Sequence, residues 1–130
     1  MGKDKVVDVR LERDSRAPIR ARRAVEALRP RLKPSTFNDV TLLVSELVTN
    51  SVQHAGADRD CWVGVRLSVL PETVRVEVTD PGPGFVHEPG PAPLDQESGR
   101  GLYLVGAISD RWGVDTDGFT RVWFEIGASA

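Results

Sequence analysis

The stretch from Trp62 to Asp80 alternates apolar and polar residues with a period of two, and this pattern restricts the chain more than any other it carries. Val63, Val65, Leu67 and Val69 fall on one face of a strand from Trp62 to Leu70, and Val74, Val76 and Val78 on one face of a second from Thr73 to Asp80. The short Pro71-Glu72 connection predicts that they pair antiparallel. A sheet with one apolar face needs a second layer to cover it. The same parity places Asp80 at the end of a core-facing row, an unusual position for a carboxylate. A turn-forming Asp before Pro-Gly accounts for it, and so does an acceptor for an amine at the rim of a pocket between sheet and helices.

The covering layer is legible on both sides of this hairpin. Ala17, Ala21, Ala24, Val25 and Leu28 recur at helical spacing behind a start at Ser15 and Pro18, in a helix that Pro30 ends. Pro34-Ser35-Thr36 opens a longer helix that runs to His54, with Gly56 as its stop. Gly101 to Ser109 reads as a third helix, with Leu102-Tyr103-Leu104-Val105 packing on the sheet. Val7, Val9 and Leu11 mark a first strand. A strand near Trp112 to Asp115, a turn at Asp117-Gly118 and a strand with Val122, Phe124 and Ile126 on one face close the chain. These elements predict an α+β fold, a two-layer sandwich with helices on one face of a mixed, mostly antiparallel sheet. Residues 85 to 98, Pro-rich and aperiodic, predict a long loop of the kind that serves as a lid or a disordered connection.

With 130 residues and 40% apolar content, a single domain spanning 1–130 is expected, its core sufficient without disulfides. Cys61 is the lone cysteine, and no stretch resembles a signal peptide or a membrane span. The expected location is therefore cytoplasmic, without membrane attachment. A net charge of -2 argues against direct nucleic-acid binding, but the charge is unevenly spread. Residues 1–35 hold eleven Lys or Arg against five Asp or Glu, and residues 36–130 hold six against fourteen.

Polar residues on the long helix supply the chemistry. Glu46, Asn50 and His54 are spaced four apart, so they share one stripe, flanked by the apolar Val44, Leu47, Val48 and Val52. A single helical Glu is usually a solvated surface residue. A mid-helix Asn needs a partner, which a structural hydrogen bond or a Mg²⁺ ion equally provides. His54 fits a helix-end cap or a group beside a nucleotide, and with His87 as the one other histidine it does not make a zinc site. Downstream, Asp80-Pro81-Gly82-Pro83-Gly84 and Gly99-Arg100-Gly101-Leu102 allow close approach of backbone to a nucleotide, the second as a helix-start anion site. Between Arg75 and Arg111 the only cationic side chain is Arg100, so a triphosphate held there would depend on Mg²⁺ and backbone N–H groups. The three segments together point to an ATP site.

In this order, Glu-x-x-x-Asn-x-x-x-His, Asp-x-Gly-x-Gly and Gly-x-Gly-Leu resemble the GHKL superfamily of ATP-binding domains, which includes gyrase, Hsp90 and histidine kinases, over residues 40 to 126. The wording Ser45-Glu46-Leu47-Val48-Thr49-Asn50 with His54, Arg111-Trp112-Gly113 and Val122-Trp123-Phe124-Glu125 is similar to the small bacterial anti-sigma-factor serine kinases. The resemblance implies a Bergerat-type ATP-binding fold. It further implies that Asn50 ligates Mg²⁺, that Glu46 is the catalytic base toward a serine hydroxyl or water, and that His54 lies by the nucleotide. Asp80 would accept from the adenine amino group, Gly82 and Gly84 would let the chain pass the purine, and Thr120 would lie near adenine. Gly99, Arg100, Gly101 and Leu102 would contact phosphate. Ser51 stands where related sequences commonly carry Ala, and the segment 85 to 98 has no lysine for the γ-phosphate.

The activity implied is that of an ATP-dependent serine kinase and anti-sigma factor that phosphorylates a STAS-type anti-anti-sigma protein and sequesters a sigma factor, with a homodimer as a further possibility. The alternative is a non-catalytic nucleotide-binding regulatory module controlling a protein partner. Arg16, Arg20 and Arg23, on one flank of the first helix, form either a solvated face or a surface for an acidic partner.

Overall fold

The computed structural model describes residues 5–53, 62–81 and 100–127. Within them the chain order is β1 (Lys5–Glu12), α1 (Ala17–Glu26), a 3₁₀ turn (Arg29–Arg31), α2 (Pro34–Gln53), β2 (Trp62–Val69), β3 (Thr73–Asp80), α3 (Arg100–Ile108), β4 (Arg111–Asp115) and β5 (Thr120–Gly127). The strands form one sheet in the order β1-β2-β3-β5-β4. All the pairings are antiparallel, the limiting case of the mostly antiparallel sheet that the sequence predicts. β3 and β5 become neighbours because α3 and β4 intervene in sequence and β4 takes the outer edge.

Alternation decides which face is covered. Val63, Val65 and Leu67 of β2, Val74, Val76 and Val78 of β3, and Val122 and Phe124 of β5 are buried against Ala21 and Val25 of α1, Leu43, Leu47 and Val48 of α2, and Leu102 and Val105 of α3. The opposite face is polar. There Arg75 reaches Glu125 at 2.8 Å and Glu77 at 3.1 Å, and its guanidinium stacks 4.3 Å from the centre of the Trp123 ring. Helices therefore lie on one face only, giving two layers.

Helix boundaries refine the sequence reading at two places. α1 ends at Glu26, four residues before Pro30, because a proline ring there would clash with the carbonyl of residue 26 if the helix continued; Pro30 instead sits inside the 3₁₀ turn. At its start, Pro18 occupies the first turn and Arg16 is the cap residue, without a side-chain cap bond. Asp14 takes the role expected of Ser15, its carboxylate accepting from the Arg16 N–H at 2.8 Å. In α2, Thr36 donates to the Gly127 carbonyl at 3.3 Å and pins the beginning of the helix to the end of β5.

Phe124 is the largest fully buried side chain, in the strand between β3 and β4. Phe124→Ala is expected to lower the unfolding free energy in urea by about 3–5 kcal/mol.

Candidate functional site

Asp80 ends β3 facing the helices, and it is 1% exposed. Arg13 reaches it from the turn between β1 and α1. Its Nη1 donates to Asp80 Oδ2 at 2.7 Å, and the arginine side chain is 6% exposed. Ser51 of α2 donates through Oγ to the same oxygen. Thr120, the first residue of β5, pairs directly across from Asp80 and is fully buried. A buried carboxylate needs such donors, since an unpaired one would be strongly destabilising.

The pairing of Arg13 with Asp80 follows from strand parity. Val7, Val9 and Leu11 face inward on β1, and one further step of two reaches residue 13. Leu11 lies opposite Val63, and the β2–β3 register places Gly64 opposite Thr79, so Val63 stands level with Asp80. A cation and a carboxylate thus terminate two core-facing rows at the same end of the sheet. The sequence carried this signal in the parity of the first strand, one step of two beyond Leu11.

One residue before Ser51, Asn50 is 2% exposed and faces the start of α3. A β-carbon on Gly101 would lie 2.5 Å from Asn50 Nδ2 and 3.6 Å from Leu47 Cδ2. Glycine is therefore what lets the first turn of α3, with its outward-facing N–H groups, come down on the Asn50 amide. Leu102, the next residue, is buried in the core and anchors that turn. Glu46, one turn earlier on α2, is half-buried. It borders an open groove of about 480 Å³ between Arg22 of α1 and Thr41, Ser45 and Thr49 of α2.

Of the residues singled out in the sequence, the structure thus brings together Asn50 with Gly101 and Asp80 with Thr120, and Ser51 joins the two pairs. Glu46, one turn before Asn50 on α2, borders the groove. His54, Gly82, Gly84 and Gly99 lie outside the described residues, as do Cys61, the loop 85 to 98 and the side chain of Arg100. Among the described residues, no helix is long and apolar enough to cross a membrane.

Residues 10–126 match the histidine kinase-like ATPase domain. The chain belongs to this family. The match extends the GHKL resemblance of the motifs back to the strand that precedes Arg13. Relatives of this ATPase domain include an uncharacterized protein of Streptomyces coelicolor, 44% identical over 80 residues that cover 60% of this chain and 74% of that one. The serine-protein kinase RsbW of Bacillus licheniformis is 38% identical over 93 residues, covering 62% of this chain and 58% of the kinase. The chain therefore spans a little over half the length of that kinase. Among solved structures, the RsbU and RsbW domains of Rv1364c from Mycobacterium tuberculosis share the fold with a TM-score of 0.72 at 19% identity, over 94% of this chain and 32% of that one. The blue-light activated histidine kinase EL346 of Erythrobacter litoralis gives a TM-score of 0.55 at 32% identity, over 75% of this chain and 32% of that one.

The Gly101–Asn50 contact leaves no room for a methyl group on a side chain as buried as Asn50. Gly101→Ala is expected to cost about 1–3 kcal/mol of stability in urea unfolding, the cost of overpacking, and to displace α3 from α2.

Proposed function

We propose that the chain is a cytoplasmic ATP-dependent serine kinase that phosphorylates a STAS-type anti-anti-sigma protein and also sequesters a sigma factor. The observation that carries this reading is the convergence of Asn50, Gly101, Asp80 and Thr120 along one side of α2 while Glu46 borders a groove open to an incoming protein. Membership of the histidine kinase-like ATPase family, and similarity to serine-protein kinases, support the same chemistry.

The residues present suit a magnesium nucleotide. Asn50 offers a hard amide oxygen, which Mg²⁺ accepts alongside phosphate and water. The glycine at 101 brings backbone N–H groups at a helix start up to that amide, where phosphate oxygens need donors. Bound there, the magnesium nucleotide supplies the phosphoryl group and offsets part of its charge. Asn50 would hold the metal, and the backbone of Gly101 and Leu102 would donate to phosphate. Asp80 would accept from the amino group of the base, with Thr120 beside it. Glu46 orients the partner's serine hydroxyl and takes its proton, a role that requires reach from outside the domain, which the groove allows. His54, Gly82, Gly84, Gly99 and Arg100 are assigned to the nucleotide by resemblance.

Partner capture is assigned to α1. Arg16, Arg20 and Arg23 surround the exposed Ile19 and enclose a hollow of about 310 Å³, an apolar centre with a basic rim suited to an acidic protein surface.

With γ-labelled ATP and Mg²⁺, label is expected to pass to a serine of the cognate STAS protein, and Glu46→Ala is expected to slow that transfer by about 10²–10⁴-fold. Absence of transfer to a partner that binds would overturn the kinase reading and leave a non-catalytic regulatory module. Arg20→Glu is expected to reduce the association rate with the sigma factor and flatten its salt dependence in surface-binding kinetics, with ATP affinity unchanged.

A further inference from the structure

The best-defined polar cluster among the described residues is the one at Asp80, and its arginine has no part in the phosphoryl chemistry above. Two donors, the Arg13 guanidinium and the Ser51 hydroxyl, converge on one carboxylate oxygen, Oδ2. They come from separate elements, the β1–α1 turn and α2, and both are buried, Ser51 fully and Arg13 at 6% exposure. Both bonds end on Oδ2, so that oxygen is held as an acceptor between donors from two elements. A carboxylate free to rotate presents its oxygens in several directions. One held by these two donors presents them in a single direction.

We propose that Arg13 is a specificity-determining residue of the nucleotide site, acting through Asp80 to select a purine with a 6-amino group over one with a 6-oxo group. The inference rests on the assignment of Asp80 to the base in the proposed function. Arg13 is a positioning residue and need not touch the nucleotide. Discrimination by an oriented buried acceptor is strong because the wrong base presents a carbonyl oxygen against a carboxylate oxygen, and neither has a proton to share.

The test compares ADP with inosine diphosphate, which differ at the 6-position of the purine, by calorimetry on the full chain with Mg²⁺. The wild-type protein is expected to prefer ADP by at least about tenfold. Arg13→Met, which keeps an unbranched stem but removes the donors, should bring the two dissociation constants within about threefold of each other, whereas Arg13→Lys, which still donates with a charge, should retain the preference. If Arg13→Met does not fold, Arg13→Gln serves in its place with the same expected loss, because an amide can turn to accept as readily as to donate. A fall in affinity for both nucleotides with an unchanged ratio would make Arg13 merely structural and overturn the inference. Loss of the preference in Arg13→Lys to the same extent as in the neutral variant would overturn it too. A wild-type protein that binds neither nucleotide would overturn instead the assignment of the site on which the inference stands.

Discussion

A buried ion pair at one end of the sheet is the constraint on which the site depends. Arg13 leaves the end of β1, Asp80 ends β3, and Ser51 sits in the last turn of α2, so three elements meet at one carboxylate oxygen. Removing two charges from water costs several kcal/mol per ion, roughly, and the pair recovers this only through good geometry and further hydrogen bonds. Such a cluster adds little to stability compared with an apolar replacement of the same volume. What it does is fix one arrangement of these elements, because any slip of strand register or helix position would strand a charge.

Around this point the two layers divide the work. The apolar face of the sheet and the three helices supply the driving force, through rows of valines whose period of two leaves no ambiguity about which face is inside. Polar groups enter that layer at the end where β3 and β5 meet α2 and α3. Asp80 and Thr120 continue the buried rows of their strands, and Asn50 and Ser51 continue the buried stripe of α2. The site is an extension of the core in which the apolar side chains have been replaced by hydrogen-bonding ones. Glu46 differs, being half-buried beside an open groove.

The outer face of the sheet shows the opposite solution to the same alternation. Arg75 lies between Glu77 and Glu125 and covers the Trp123 ring, and Arg10 covers Trp62 with its guanidinium 4.1 Å from the ring centre. Guanidinium groups stacked on aromatic rings, with Arg75 also paired to two carboxylates, cover that face without a second layer.

Most of the fold was legible in the sequence because it is written in local periodicity. The β2–β3 hairpin, the three helices and the inward placement of Asp80 all follow from spacing, with α1 departing from expectation at its start, where Asp14 replaces Ser15, and at its end, where Pro30 acts four residues upstream of itself. The motif residues Asn50, Asp80 and Gly101 could be named singly on the same grounds, and Thr120 by resemblance alone. Their partners could not. That Ser51, an apparently minor departure next to Asn50, and Arg13 both donate to Asp80 depends on separations of 29 and 67 residues. The sequence by itself determined which side chains point inward, since that is a property of each strand or helix alone. Only the tertiary structure decided which of them meet, since two polar residues at the ends of separate buried rows become partners through strand register and helix docking, neither of which is a local property of the chain.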